Sequence, residues 1–395
     1  MRRVLLLLAA LACVPLGAAL DNGFRADDYQ FLTAVRSAPD PGALLGIQHD
    51  VAFYRPVALL LFAGEHALFG LRAGLYLLFN ALLHGAIALA GFRLLRRLGV
   101  EPSAALLAAG LFLVGVAHLD KQVTWACTSG GLLAVLLVLV ALLAEADPRR
   151  SGAGTAALAA LLAPFAHELG LLLVPLLLLR RALGAGPITA RPRGWGAALL
   201  ALGVVPWAVS ALLLGSAGAD TTAGGLGSPA AVLAAALRYV GYFGLAVLPV
   251  PATGGGVPAA LSRALLGAQW ALGAGVVLAC ARLLAARTAR PGLRFLAGWA
   301  LLAVLPYAAI PLPAGWLELR YLYFAALPLT ALAATLLLRL GAPGGWRRGL
   351  AAGIAVAMVL GSLGLALVIE RRNDAAARSP ENLAQRAAVE ANAAR

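Results

Sequence analysis

The stretch LLAVLLVLVALL at Leu132–Leu143 decides the fold class of this chain. Its apolar residues run on without a break, whereas the strands of a membrane barrel alternate apolar and polar positions. About 20 apolar residues cross a bilayer as a helix, and a helix satisfies its own backbone hydrogen bonds in lipid. Similar stretches recur along the whole sequence. The sequence therefore predicts an integral membrane protein of the all-α class, a polytopic bundle of transmembrane helices.

Composition and charge support this interpretation. Of the 395 residues, 62% are hydrophobic and 12% are charged, against about a quarter charged in a soluble domain. The net charge of +14 does not indicate a nucleic-acid partner, because the basic residues cluster at predicted helix ends. One lysine against 30 arginines, with abundant alanine and glycine, indicates a high-GC bacterial genome. The three cysteines lie in apolar stretches, which favours core packing over disulfides or a zinc site.

The apolar stretches predict about eleven transmembrane helices in a domain covering residues 1–369, followed by a polar tail at 370–395. The first segment, 4–20, fits either a cleaved signal peptide or a signal anchor, and we favour the anchor. Outer-face loops at 21–72 and 216–263 contain apolar stretches that predict short interfacial helices. The remaining predicted transmembrane helices lie at 73–94, 103–118, 124–144, 154–166, 168–180, 195–215, 264–284, 295–312, 321–340 and 349–369.

The charges orient these helices. A break at His167-Glu168 keeps Arg149-Arg150 and Arg180-Arg181 on one side, which the positive-inside rule identifies as the cytoplasm. The N-terminus then lies inside and the C-terminus outside, and most of the acidic residues fall outside. We therefore expect the functional face on the outside of a bacterial cytoplasmic membrane.

An acidic pair, Asp27-Asp28, follows the first predicted helix. A like charge and partial desolvation at the membrane edge both disfavour ionisation of a carboxyl group, which tunes it toward general-base catalysis. The pair could also help to bind a divalent cation, which prefers oxygen ligands. The residues alone leave a third interpretation open, that of a solvated loop start or helix cap.

Two arginines at predicted membrane boundaries are candidates for binding a phosphate. Arg55 lies in Tyr54-Arg55-Pro56, and Arg320 precedes Tyr321. Contact with lipid headgroups explains both arginines equally well, and tyrosine is common at membrane interfaces in general. The predicted donor- or phosphate-binding residues are Arg55, Arg320, Tyr321, Tyr323 and Lys121.

Other polar residues form a second tier of candidates. The pair His167-Glu168 interrupts an apolar stretch, where ionisable groups are expensive without a function. Asn80 and His84 lie one helical turn apart, and this spacing favours packing between helices. We interpret Glu65-His66 as a surface pair. The second-tier candidates are His49, Tyr54, His84, His118, Asp120, His167 and Glu168.

The order of these motifs resembles that of a known family. Asp-Asp-Tyr follows the first helix, then Tyr-Arg-Pro, Leu-Phe-Gly at 68–70, Asn80 and His84, a His-to-Trp turn at 118–125 and a late Arg-Tyr-Leu-Tyr. This resembles the GT-C fold of polytopic membrane glycosyltransferases, particularly the protein O-mannosyltransferase-like branch. Relatives often have Lys-Glu in place of His167-Glu168, and some continue into tetratricopeptide repeats that this sequence lacks.

The resemblance implies a function at the outer face of the membrane. A sugar would pass with inversion from a polyprenyl-phosphate donor to a protein, lipid or glycan acceptor. Asp27 would be the base, with Asp28 as the alternative or its partner, and Arg320 would contact the donor phosphate. No cofactor follows with certainty, and a divalent cation stays a candidate.

Two other classes compete with this function. A transporter or lipid flippase would show inverted repeats and ionisable residues at mid-membrane, whereas the acids here collect on one face. A polymer-assembling enzyme resembling an O-antigen ligase would need its large outer loop late in the chain, and the loop richest in polar candidates is the first.

Overall fold

The structure is a computed structural model, and every regular element that it describes is helical. The α-helices are α1 Asp27–Ser37, α2 Pro56–Phe69, α3 Ala73–Arg97, α4 Pro102–Val114, α5 Ser129–Glu145, α6 Gly152–Ala166, α7 Leu173–Leu183, α8 Pro229–Leu245, α9 Ala259–Ala285, α10 Pro291–Ala308, α11 Tyr323–Gly341 and α12 Pro380–Ala393. Four 3₁₀ turns lie at Pro41–Leu45, Ala126–Thr128, Glu168–Leu172 and Leu319–Leu322. The described residues are 20, 23–46, 54–115, 122–145, 152–186, 204, 208, 228–245, 259–308, 319–341, scattered positions from 349 to 364, and 378–393. The predicted all-α class is confirmed.

Within these ranges, five helices are long and apolar enough to cross a membrane. They are Ala73–Arg97, Ala126–Glu145, Gly267–Ala285, Pro291–Ala308 and Arg320–Gly341. Shorter apolar helices include α2, α4 and parts of α6 and α8. The predicted helices at 4–20, 195–215 and 349–369 lie largely outside the described residues, so the predicted total of about eleven stays a prediction.

The predicted break at His167-Glu168 is present in the structure. Helix α6 ends at Ala166, and after a 3₁₀ turn α7 returns to the level where α5 ends. Arg180 and Arg181 of α7 lie 3.5 Å and 2.8 Å from the carboxylate of Glu145, the last residue of α5. The chain therefore reverses at His167 instead of forming one long helix.

Contacts of this kind distinguish the two ends of the bundle. The arginine-rich end carries Glu145 with Arg180 and Arg181. It also has a cavity of about 410 Å³ lined in part by Leu98, Arg290 and Arg339. The opposite end, which we call the site end, carries α1 and the 3₁₀ turns that begin at Ala126, Glu168 and Leu319.

Helix α4 is shorter than the predicted helix at 103–118. Its start is fixed by Glu101, which accepts hydrogen bonds from the backbone N–H groups of Ser103 and Ala104, with Pro102 at the first helical position. Proline is favoured there because its missing N–H would have no helical partner. The helix ends at Val114 because Gly115 is extended, with φ −69° and ψ 138°. Residues 116–121 lie outside the described part.

An aromatic cluster attaches the first loop to the bundle. Tyr76, at the start of α3, has ring-centroid distances of 5.2 Å to Phe24, 5.2 Å to Phe62 and 5.5 Å to Phe69. Its side chain is fully buried, and aromatic edge-to-face pairs add to the stability that burial provides. The cluster thereby holds α1 and α2 against α3.

Helix α2 packs against the protein, although the sequence predicts a helix on the membrane surface. A Cβ on Gly130 of α5 would lie 2.4 Å from the Cβ of Ala58 of α2. The absence of a side chain at Gly130 is what allows the two helices to approach so closely. Glu65 of α2 is buried as a result.

Candidate functional site

The two aspartates of the acidic pair occupy different environments. Asp28 is 1% exposed. Its Oδ2 accepts a hydrogen bond from the Arg25 N–H at 3.0 Å, and its Oδ1 accepts one from the Cys127 N–H at 2.7 Å. Burial raises the pKa of Asp28 to about 6. The two backbone hydrogen bonds and, separately, the positive charge of Arg25 oppose this increase. Asp28 therefore joins the loop before α1 to the turn before α5.

Asp27 is the more accessible carboxylate. It is the first residue of α1 and is partly exposed. Among the described residues, none donates a hydrogen bond to its carboxylate. Because neighbouring helical residues point about 100° apart, Asp28 can face the protein while Asp27 faces away from it. Of the two, Asp27 is the one that a bound molecule can reach.

Trp125 connects the acidic loop with the late arginine. Its ring centroid lies 5.4 Å from the guanidinium carbon of Arg25 and 5.1 Å from that of Arg320. The Trp125 indole N–H donates to the Arg25 carbonyl at 3.0 Å, and Arg25 donates to the Thr124 carbonyl at 3.0 Å. The structure thus brings together residues separated by almost 300 positions in the sequence.

Hydrogen bonds fix the turn that holds Trp125. Asn80 of α3 donates to the Trp125 carbonyl at 2.8 Å. The Thr128 hydroxyl lies 2.6 Å from the same carbonyl and 2.7 Å from that of Gln122. Asn80 therefore links a transmembrane helix to this turn.

Arg55 and Glu168, two candidates from distant parts of the sequence, form an ion pair. Arg55 donates through Nε at 2.9 Å and through a terminal nitrogen at 2.5 Å to the two carboxylate oxygens. Burial alone would raise the pKa of Glu168, but the charge of Arg55 and its hydrogen bonds to the carboxylate outweigh burial, and the pKa falls to about 2. This pair joins the start of α2 to the turn before α7.

His167 supports the same turn. Its Nδ1 accepts a hydrogen bond from the Leu169 N–H at 3.2 Å and lies 3.6 Å from the Glu168 carboxylate. Burial lowers the pKa of His167 to about 3, Glu168 opposes this, and the positive charges of Arg55 and Arg320 add to it. His167 is therefore neutral at physiological pH and acts there as a hydrogen-bond acceptor.

Aromatic rings surround the turn that carries Arg320. Tyr321 stacks on Tyr307 of α10 with a centroid distance of 4.3 Å and an interplanar angle of 7°. Tyr239 of α8 lies 6.4 Å from the same ring, and the Arg320 guanidinium carbon lies 5.4 Å from it. The sequence interpretation did not single out Tyr307 or Tyr239, although each lies near one end of a predicted apolar segment.

Glu65 is a correction to the sequence interpretation. It is 3% exposed instead of lying on the surface, because α2 packs on α5. The Ser129 hydroxyl donates to its Oε2 at 3.2 Å. Burial and the charge of Asp28 raise the pKa of Glu65 to about 8, against the effect of the Ser129 hydrogen bond. Its neighbour His66 lies near Tyr76, with 3.3 Å between Nδ1 and the hydroxyl.

The remaining candidates divide into two groups. Tyr323 and His84 lie in the bundle core, where the Tyr323 hydroxyl is 2.8 Å from His84 Nδ1 and both rings contact Phe112. Tyr54 donates to the Leu45 carbonyl at 2.9 Å and packs its ring against Phe165. His49, His118, Asp120 and Lys121 lie outside the described residues.

The described residues do not complete a divalent-cation site. No group of three or more His, Cys, Asp or Glu side chains with the arrangement of a metal site occurs among them. Both oxygens of Asp28 already accept backbone hydrogen bonds. The predicted involvement of a divalent cation stays a prediction.

The fold resembles several solved membrane transferases. The chain aligns over 93% of its length with the Archaeoglobus fulgidus oligosaccharyltransferase in complex with Zn and sulfate, at TM-score 0.53 and 16% identity. It aligns over the same share with ArnT from Cupriavidus metallidurans bound to undecaprenyl phosphate, at TM-score 0.52 and 18% identity. A third match is the archaeal oligosaccharyltransferase AglB from A. fulgidus in complex with an inhibitory peptide and a dolichol-phosphate. Its TM-score is 0.51, its sequence identity is 14%, and the alignment covers 93% of this chain.

This chain has the GT-C fold. The fold expected from the motif order is therefore confirmed, while the O-mannosyltransferase-like branch stays a prediction. The chain spans about half the length of the archaeal oligosaccharyltransferase chains, 53% and 56% in the two structures, and 72% of the length of ArnT. No family model and no curated protein matches the sequence.

Proposed function

We propose that this protein is a membrane glycosyltransferase that moves a sugar from a polyprenyl-phosphate donor to an acceptor, with inversion. The observation that carries the proposal is the meeting of the acidic loop and the Arg320 turn at Trp125. A reaction with an acceptor to deprotonate and a phosphate to release needs both a base and a cation in one place. Two of the similar structures contain a polyprenyl phosphate, undecaprenyl phosphate and dolichol-phosphate respectively.

Asp27 is the proposed base. Its carboxylate takes the proton of the acceptor nucleophile, and the acceptor atom forms a bond to the anomeric carbon of the sugar. The bond between that carbon and the phosphate oxygen breaks on the opposite face, and the phosphate leaves with the bonding electrons. One base suffices for a single displacement with inversion, whereas retention would need a separate nucleophile. Asp28 positions the start of α1 through its two backbone hydrogen bonds.

Arg320 is the proposed contact to the donor phosphate. It lies at the site end beside Trp125 and Tyr321, whose rings restrict the rotamers of the guanidinium. A fixed cation stabilises the charge that develops on the leaving phosphate more effectively than a mobile one. Arg55 is bound to Glu168 in this structure, and we assign it to holding the first loop against the turn before α7.

The predicted sidedness is part of the proposal. Arg180 and Arg181 lie at the end of the bundle opposite Asp27, and Arg290 and Arg339 line a cavity there. Arginine-rich ends face the cytoplasm of bacterial membranes. The site end would then face outward, and the substrates would be a polyprenyl-phosphate-linked sugar from the bilayer and a protein, lipid or glycan acceptor.

The test is transfer of labelled sugar by the purified full-length protein in lipid nanodiscs. We expect Asp27→Asn to lower kcat by at least about 100-fold, since general-base catalysis contributes about 10²–10⁴-fold. Asp40→Asn is the matched control, because it removes an acid from the same loop while asparagine can still cap the 3₁₀ turn that Asp40 caps. Full activity of Asp27→Asn would exclude Asp27 as the base.

A further inference from the structure

The C-terminal helix α12 docks on the helix that carries the candidate base. The Asn382 side-chain oxygen accepts a hydrogen bond from the Ala26 N–H at 3.0 Å. Seven residues further along α12, the Val389 carbonyl accepts one from the Arg36 guanidinium at 2.7 Å. The two bonds lie near the two ends of α1, and Val389 also packs against the hydrophobic core that α1 and α2 share. The tail is therefore attached along α1 at more than one point.

The Ala26 contact falls on an unusual backbone position. Ala26 has φ 42° and ψ −115°, and in the described part of the chain it is the only non-glycine residue with positive φ. Such conformations are unfavourable for residues with a Cβ and persist where the surroundings hold them. Ala26 immediately precedes Asp27 and sets the direction in which α1 begins. A contact that fixes the backbone of Ala26 therefore also fixes the position of Asp27.

Local hydrogen bonds fix the orientation of the Asn382 amide. Its Nδ2 donates to the Ser379 hydroxyl at 3.0 Å, just before α12 begins at Pro380. With the amide nitrogen bound there, the amide oxygen faces the Ala26 N–H, which needs an acceptor. The first amides of a helix and the residue before it have no helical partner. Asn382 provides that partner from a segment about 350 residues away.

We propose that Asn382 is a positioning residue for the base Asp27. It acts through the Ala26 backbone and contacts no reacting atom. By accepting the Ala26 N–H, it stabilises the positive-φ conformation of Ala26 that aims Asp27 away from the buried side of α1. The catalytic part of this assignment rests on the proposed function, whereas the docking of α12 on α1 is independent of that function.

The experiment compares the full-length wild type with Asn382→Ala in nanodiscs. We expect faster amide hydrogen exchange in residues 23–31, together with a kcat about five-fold lower and an unchanged KM for the donor, the effect of one lost hydrogen bond. Asn382→Asp keeps an oxygen acceptor and should keep slow exchange. Leu383→Ala changes an exposed neighbour on the same helix and should leave both measurements unchanged.

The two measurements separate the possible failures. Unchanged exchange in residues 23–31 of Asn382→Ala would overturn the docking. Faster exchange with unchanged kcat would overturn the positioning role. If Asp27→Asn retained full activity while Asn382→Ala exchanged faster, the proposed base would fail and the docking would stand. The exchange measurement needs no substrate, so it decides the docking independently of transfer.

Discussion

A buried glutamate lies at each end of helix α5, with opposite surroundings: Glu145 is the last residue of α5, and Glu65 of α2 contacts its first residue, Ser129. At the arginine-rich end, Glu145 is 2% exposed and faces Arg180 and Arg181 at 3.5 Å and 2.8 Å. At the site end, Glu65 is 3% exposed, and its one hydrogen bond in the described part comes from the Ser129 hydroxyl. One buried carboxyl is compensated by cations, and the other is held by a neutral donor.

This difference separates a structural ion cluster from a site. Arg180 is fully buried and also donates to the Leu142 and Ala185 carbonyls, so its donors are used in joining α5 to the end of α7. At the site end the ion pair of Arg55 with Glu168 is partly exposed, at 17% and 32% of the side chains. The ion cluster at the arginine-rich end is closed and compensated, whereas the ion pair at the site end stays partly exposed.

The largest expected effect is that of Glu145→Gln on stability. The substitution leaves the buried guanidinium of Arg180 without its counter-ion, and breaking a buried ion pair costs about 3–5 kcal/mol. We expect a clearly lower midpoint of thermal unfolding, while the activity of the folded fraction is unchanged. Arg93→Gln is the control, because Arg93 is exposed near the same end. An unchanged midpoint in Glu145→Gln would show that the cluster is dispensable.

Arg320→Ala should have an intermediate effect, on the donor. Hydrogen bonds to charged groups contribute about 1.5–3 kcal/mol, so kcat/KM for the polyprenyl-phosphate donor should fall by about 10–100-fold. Arg320→Lys should recover part of this loss, since it keeps the charge without the planar guanidinium. Steady-state kinetics with varied donor and fixed acceptor provide the measurement. Donor kinetics equal to wild type would reduce Arg320 to an interface anchor.

The sequence predicts which candidate residues lie at the same end of the bundle, but not which of them come into contact. The acidic pair and Arg320 were assigned to one face because runs of apolar residues and clustered arginines determine on which side each loop lies. Arg55 and Glu168 were both candidates, but their ion pair joins positions 113 residues apart, and no local pattern encodes that pairing. The role of Trp125 was missed for the same reason.

The error at Glu65 has a different origin. A glutamate beside a histidine in an apolar helix gives no indication of which helix face will be covered. Which face of α2 is covered depends on Gly130, where the missing side chain lets α2 approach α5 at Ala58. Close approach of this kind depends on three-dimensional packing, and helical periodicity cannot reveal it in a segment that is apolar on nearly every face.

The smallest effect at acidic pH is expected for Glu65→Gln, and it tests the comparison most directly. Burial raises the pKa of Glu65 from 4.5 to about 8, so the folded protein holds this proton more tightly than the unfolded chain. The associated stability is complete below pH 4.5 and is lost as the pH rises through about 8. Glutamine resembles the protonated acid and does not titrate, so the variant should match wild type below about pH 4.5.

As the pH rises from about 5 to about 8, the two proteins should diverge. The midpoint of thermal unfolding of the wild type should fall as Glu65 ionises, and that of Glu65→Gln should fall less. Glu101→Gln is the control, because the exposed Glu101 has a lowered pKa and is ionised throughout this range. Equal pH dependence of wild type and Glu65→Gln would mean that Glu65 is charge-compensated as Glu145 is, and the two ends of α5 would then be alike. A divergence would show that α2, and with it Arg55 at its start, is held in place by a neutral carboxyl group.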